Sequence, residues 1–131
     1  MHSKLALVAL LGLGVFAVPA AYAGYAYRPA VTISYGSNYT YASGQLRSAR
    51  DSSDSRQYVS CGVYAYTSGA TTYRYGSCSA YDAGGNYAYC MTSDPTMTDL
   101  MLTANSTSRV EFLAVSGFCS SVYVVQESSS L

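Results

Sequence analysis

Alternation is what most limits how this chain can fold. Between Tyr58 and Cys90 the tyrosines keep to one parity, while cysteines and small residues keep to the other, through three successive runs. Successive side chains on a strand point to opposite faces, so residues two apart share a face. Tyr58, Tyr64 and Tyr66 share a parity in the first run, Tyr73, Tyr75 and Tyr81 in the second, and Tyr87 and Tyr89 in the third. The intervening positions hold Cys61, Val63 and Ala65, then Gly76, Cys78 and Ala80, then Ala88 and Cys90. The pattern predicts three β-strands with one phenolic face and one small, sulfur-bearing face. Ser68-Gly69-Ala70 and Asp82-Ala83-Gly84-Gly85-Asn86 supply the positive-φ glycines that hairpin turns need. With Gly85 in the left-handed position of a three-residue loop, Asp82 pairs with Asn86 and Cys78 falls opposite Cys90.

After Cys90 the period changes. Met97, Leu100, Met101 and Ala104 recur at i, i+3, i+4 and i+7, which predicts a short helix over about 95–104. Asp94 is placed to cap it, Pro95 fits its first turn, and Asn105 marks its end. Arg109 to Val115 and Phe118 to Gln126, rich in β-branched and aromatic residues, read as two more strands turned at Ser116-Gly117. That turn sets Cys119 opposite Ala114, on the face that also carries Val110 and Phe112. The expected fold is α+β and mainly β: an antiparallel sheet of about five strands with one short helix packed on one face, in the order β-β-β-α-β-β, with two disulfides. The helix should cover the face of Cys61, Val63, Ala65, Ala80 and Ala88, because small side chains let it approach. Tyr64, Tyr75 and Tyr89 should then lie side by side on the other face.

Residues 1–23 have the form of an export signal: Lys4, an apolar run from Leu5 to Val18, and the small-x-small end Ala21-Tyr22-Ala23. The run is shorter than a bilayer span needs and Pro19 interrupts it, so no membrane span is expected after cleavage. The chain from Gly24 onward is long enough for one small domain. Residues 24–57 read as a tyrosine- and serine-rich extension and linker. Strands are conceivable at 30–35 and 39–41, with a polar, flexible stretch from Ala42 to Gln57. The disulfide-bonded domain is expected at 58–126 and a flexible polar tail at 127–131. The signal implies a secreted or periplasmic location.

Four cysteines in an exported chain favour two disulfides. The hairpin register favours Cys78–Cys90, which leaves Cys61–Cys119. A four-thiolate metal site is disfavoured because no close C-x-x-C pair is present. No metal or cofactor is expected.

Composition excludes several classes of chemistry. The chain has one histidine, no tryptophan and balanced charge, and both His2 and Lys4 lie in the signal. The remainder has no imidazole for a catalytic triad or zinc site, and no lysine for a Schiff base or a phosphate loop. No basic patch for nucleic acid is visible. Asp51 and Asp54 lack the context of a glycosidase pair or a calcium loop. A non-catalytic protein is expected, with carboxylate chemistry the main enzymatic route left.

The tyrosine face is the unusual feature, because tyrosine gives large contact area with few torsions to freeze and a polar tip. Tyr64, Tyr66, Tyr73, Tyr75, Tyr87 and Tyr89 are therefore the candidate binding residues, for an extracellular polysaccharide or a surface protein. The alternatives are a structural or cell-surface assembly subunit, and a secreted inhibitor or carboxylate-based enzyme. A plainer role is sheet stabilisation by cross-strand ring pairs, partly covered by the segment from Tyr25 to Tyr41.

Cys61-Gly-Val-Tyr-Ala-Tyr66, Cys78-Ser-Ala-Tyr-Asp-Ala-Gly-Gly85, Cys90-Met-Thr-Ser-Asp-Pro95 and the late Cys119 resemble the motifs of a group of short exported bacterial proteins with four cysteines. The resemblance covers about residues 61–119 and implies no activity.

Overall fold

The computed structural model describes residues 31–126; the expected export signal at 1–23, Tyr25 and the expected flexible tail at 127–131 lie outside the described residues. In chain order the elements are β1 (Thr32–Tyr35), β2 (Thr40–Gln45), α1 (Leu46–Arg50), β3 (Tyr58–Ser68), β4 (Thr71–Tyr81), β5 (Tyr87–Thr92), α2 (Pro95–Met101), β6 (Arg109–Val115) and β7 (Phe118–Val125). The strands form one seven-stranded sheet in the order β1-β2-β6-β7-β5-β4-β3. Every neighbouring pair is antiparallel except β5 and β7, which run parallel and meet at Met91 and Phe118.

The unit β3–β4–β5 follows the alternation. Tyr58 faces Tyr81, Tyr64 faces Tyr75, Tyr66 faces Tyr73, and Cys78 faces Cys90. Gly69 turns the first hairpin at φ 61°, and Gly85 takes the left-handed position of the second at φ 88°. Asp82 N–H donates to the Asn86 carbonyl at 3.1 Å, as the three-residue loop requires. Between β6 and β7, Ser116 and Gly117 both have positive φ, 52° and 81°, the pattern of a type I′ turn. Cys119 faces Ala114, and a bulge between Leu113 and Ala114 then lets Val122 share the buried side with Cys119.

The small-residue parity is the core. Val59, Cys78, Ala80, Ala88 and Cys90 join Ala42, Val110, Phe112, Ala114, Cys119 and Val122 in one buried cluster. Helix α2 lies on that side. A Cβ added at Gly76 would stand 2.5 Å from the Met101 sulfur, so the glycine is what lets the helix approach β4. Asp94 caps α2 by accepting from Met97 N–H at 2.9 Å, with Pro95 in the first turn. The helix stops at Met101, short of the expected Ala104, and Asn105 instead closes a local turn by accepting from Thr107 N–H at 2.9 Å.

Three expectations are corrected. First, the described residues form two helices and a sheet of seven strands, which is mixed rather than wholly antiparallel. The segment read as extension and linker supplies β1 and β2, where strands were expected at 30–35 and 39–41, and carries β2 on into the stretch read as linker, which also supplies α1. Its linker-like texture has a packing cause: Ala42 and Gly44 are buried where the curled sheet brings β2 against β3, and a Cβ on Gly44 would sit 3.0 Å from Val31 and 3.2 Å from Val59. Small residues are needed there because two strands converge.

Second, the disulfides are Cys61–Cys78 and Cys90–Cys119, not Cys78–Cys90 and Cys61–Cys119. Cys78 has a cysteine on each side, and the backbone spacing decides between them. Cys61 and Cys78 have Cα atoms 4.1 Å apart, the close spacing of a non-hydrogen-bonded pair. A residue that is non-hydrogen-bonded toward one neighbour is hydrogen-bonded toward the other, so Cys90 takes the wider position and bonds instead to Cys119, 4.9 Å away across the parallel joint. All four cysteines are consumed, which removes the four-thiolate alternative. Two disulfides fit an extracytoplasmic setting. Among the described residues no helix is long and apolar enough to cross a membrane.

Third, over its described part, from Val31 on, the segment up to Tyr41 leaves Tyr64, Tyr66 and Tyr73 exposed and meets the tyrosine side at Tyr87 and Tyr89. Over its described part it pairs with β6 and extends the sheet at the far side.

Candidate functional site

Both helices lie on the small-residue side, so among the described residues neither covers the outward side of β3, β4 and β5, where Tyr64, Tyr66 and Tyr73 face water. Its tyrosines are organised by strand register into rows. Near the β3–β4 turn, the Tyr64 and Tyr75 rings stack at 5.3 Å and the Tyr66 and Tyr73 rings at 5.2 Å, with Tyr66 edge-on to Tyr75 at 6.3 Å. At the other end of the hairpin Tyr58 stacks on Tyr81 at 6.3 Å, and Tyr87 faces Tyr81 from β5. Tyr64, Tyr66 and Tyr73 are each about half exposed, at 51%, 54% and 48%. Rings that stack on one another and still face water are ordered without being covered.

Between the two groups runs a belt of small polar residues, Ser60, Ser77 and Ser79, with the Ser60 and Ser79 hydroxyls 3.2 Å apart. Gly62 lies in the same belt. The Tyr64 ring leans over it, its hydroxyl 3.2 Å from where a Cβ would be. The rows at Tyr58 and Tyr64 are six residues apart, about 20 Å along the strand at roughly 3.3 Å per residue. The belt continues sideways through Tyr89, opposite Ser79, and through Met91 to Phe118.

The six candidates therefore form more than one group. Tyr64, Tyr66, Tyr73 and Tyr75 make one cluster; Tyr87 belongs to the row with Tyr58 and Tyr81; and Tyr89 stands beside the serine belt. Tyr89 faces Ser79, so it is not side by side with Tyr75. Tyr58 and Tyr81 share the tyrosine parity and belong to the surface on that signal. Phe118, 63% exposed, joins through the parallel pairing of β5 and β7, which no local pattern announces.

The surface also reaches a cleft of about 350 Å³, walled by Tyr35, Tyr39 and Tyr89 and floored by the Ser116-Gly117 turn. Tyr39 is held there because its ring lies flat on Gly36, where any side chain would collide with it. Tyr35 fixes the other wall: its hydroxyl donates to the Tyr87 carbonyl at 2.9 Å and accepts from the Tyr87 N–H at 3.1 Å. Desolvation raises the Tyr87 phenol, and the neighbouring Tyr58 and Tyr89 add to the shift, so it stays a neutral hydrogen-bond donor across the ordinary pH range.

The acidic residues described have partners of their own. Glu111 accepts from Tyr41 at 2.7 Å and pairs with Arg109 at 3.0 Å. Asp99 pairs with Arg74 at 2.6 Å, Asp51 with Arg47 and Arg50, and Asp54 with Arg56. Hydrogen bonds from the Arg56 backbone and then its side chain lower the Asp54 carboxyl. No group of three or more metal-ligating side chains comes together among the described residues. Comparison with family models, with curated proteins and with solved structures finds no match to this chain.

Proposed function

We propose that this is an exported, non-catalytic binding module, secreted or periplasmic, whose outward tyrosine face takes a neutral extracellular polysaccharide. One observation carries the reading: stacked tyrosine pairs stand on a sheet face that neither helix covers, and remain about half exposed. The carbon–hydrogen faces of sugar rings pack on such platforms, and phenol and serine hydroxyls suit the sugars' own hydroxyls. An elongated ligand fits, because the two tyrosine groups are separated by a polar belt rather than gathered into one pocket. A neutral one fits, because the candidate residues carry no charge. The described carboxylates are held in ion pairs, a turn and a helix cap, which supports binding without turnover. The resemblance to short exported bacterial proteins agrees with the location.

With no tryptophan in the chain, emission comes from its fifteen tyrosines, eight of which, Tyr58, Tyr64, Tyr66, Tyr73, Tyr75, Tyr81, Tyr87 and Tyr89, belong to this face. Titration with soluble neutral glucans and mannans should give a saturable change, which Tyr64→Ser with Tyr75→Ser removes while the fold is retained. An equal response to an anionic polysaccharide, or binding that survives the double substitution, would refute the assignment.

A further inference from the structure

Strand β3 is the edge of the sheet and spans eleven residues, Tyr58–Ser68. It contains no charge and no proline, and its register with β4 is unbroken from end to end. The close Cys61–Cys78 spacing fixes which of its backbone groups face outward. Cys61 is non-hydrogen-bonded toward β4, so its N–H and C=O point away from the sheet, and alternation puts those of Val63, Ala65 and Thr67 there too. Among the described residues, no backbone hydrogen bond from another segment reaches them. Natural edges are shielded by short length, charge, proline, a bulge or a cover. From Cys61 onward β3 uses none of these among the described residues.

We propose that this edge, from Cys61 to Ser68, pairs antiparallel with the same edge of a second copy of the chain about a two-fold axis. Length selects the partner: β1, the other edge, has four residues, and its Ile33 N–H is already held by the Asp82 carboxylate. An uncharged edge meets its own copy without repulsion. Directly opposed residues in an antiparallel pair share a face, so the tyrosine surfaces of the two copies join on one side. With the axis at Ala65, Tyr64 lies opposite Tyr66 of the partner subunit, and the ring rows run on across the junction. The pairing does not depend on what the tyrosine face binds, and its test is separate from the glycan titration.

The test is sedimentation together with amide hydrogen exchange on the exported, oxidised protein over a wide range of concentration. Sedimentation should pass from one chain to two. The amides of Val63, Ala65 and Thr67 should slow by roughly tenfold or more as it does. Ala65→Lys sets like charges against each other at the axis, and Ala65→Pro removes one outward donor without touching the β3–β4 ladder. Both should remain single chains, with the urea midpoint of the lysine variant unchanged. A wild-type protein that stays a single chain would overturn the proposal. So would association in which those three amides still exchange fast, open-ended polymers, or an Ala65→Lys protein that pairs as well as wild type.

Discussion

β1 and β3 lie at opposite edges of one sheet, yet they end it in different ways. The edge at β1 is tied back into the molecule. Ile33 N–H is held by Asp82 in the β4–β5 loop, and the Tyr35 hydroxyl takes both backbone groups of Tyr87 at the start of β5. The sheet curls far enough for Gly44 of β2 to lie against Val59 of β3, so the first residues of β3 are covered as well. From Cys61 onward, by contrast, the β3 edge faces outward, and burial falls away along the strand until Tyr64 to Ser68 are all exposed. Curling closes a sheet edge where small residues permit contact and polar groups stand ready to take its backbone. Where the facing side chains are bulky tyrosines and the chain simply turns back at Gly69, the edge stays open.

The largest effect should come from the joint between the two halves. β5 and β7 share a single ladder pair, Met91 with Phe118, supplemented by Met91 N–H on the Gly117 carbonyl at 3.0 Å. The Cys90–Cys119 disulfide spans that joint with a sequence separation of 29. The chain-entropy model gives about 3.5 kcal/mol for a loop of this length. Replacing both cysteines by alanine should lower urea stability by that order and speed exchange at Met91. Replacing Cys61 and Cys78 should have a smaller effect, because β3 keeps its full ladder to β4. Equal losses in the two variants would show that the joint is not the weak point.

Next come the ties of the closed edge. Burial alone would raise the Asp82 carboxyl, but hydrogen bonds from the Asn86 side chain and the Asn86, Gly84 and Ile33 backbones together hold it below its ordinary value. A carboxyl whose pKa is lowered by folding adds stability that is fully present above its unfolded pKa of about 4 and is lost as pH falls through the folded value. Asp82→Ala should therefore cost about 2 kcal/mol at neutral pH, the scale of lost hydrogen bonds to a charged group. It should also flatten the decline of stability on the acid side. Tyr35→Phe removes one hydroxyl and should cost about 1 kcal/mol, while freeing the Tyr87 amide for exchange. A Tyr87 amide that stays protected in Tyr35→Phe would mean that the edge is closed by packing alone.

Much of β3, β4 and β5 was legible because the tyrosines keep to one parity and the cysteines to the other in all three strands, and Gly85 forced the register that put Cys78 opposite Cys90. The pairing of the cysteines was not legible. It depends on which side of Cys78 has the narrow spacing, a fact about backbone hydrogen bonds that the side-chain pattern does not encode. Nor was the role of residues 42–50. Ala42, Gly44, Gln45 and Ser48 look like linker by composition, yet all are buried, Gln45 accepting from the Ser48 hydroxyl and donating to the Thr107 carbonyl. Tertiary convergence explains that choice of small and polar residues, and local propensity has no access to it. The β5–β7 pairing is of the same kind. The stretch through α2 is long enough for a parallel crossover, but nothing in it says whether β6 or β7 returns beside β5. The candidate site was legible as a set of residues and not as an arrangement, since Tyr89 falls beside Ser79 rather than Tyr75.

The smallest stability change should come from the tyrosines beside the open edge. Tyr64 and Tyr75 stack on each other at 5.3 Å, and Tyr64 is 51% exposed. Changing both to serine removes a cross-strand pair worth roughly 0.2–1 kcal/mol and adds no buried charge. It also uncovers the Gly62 backbone, which the Tyr64 ring overlies. The urea midpoint should therefore move less than for Tyr35→Phe with Asp82→Ala. By contrast, Val63→Asp, on the inner side of the same strand and packed against the core, should unfold the domain, because it places an unpaired charge there. If the double serine variant unfolds as readily as Val63→Asp, the rings act as core rather than as surface. The open side of the sheet would then be no freer than the closed one.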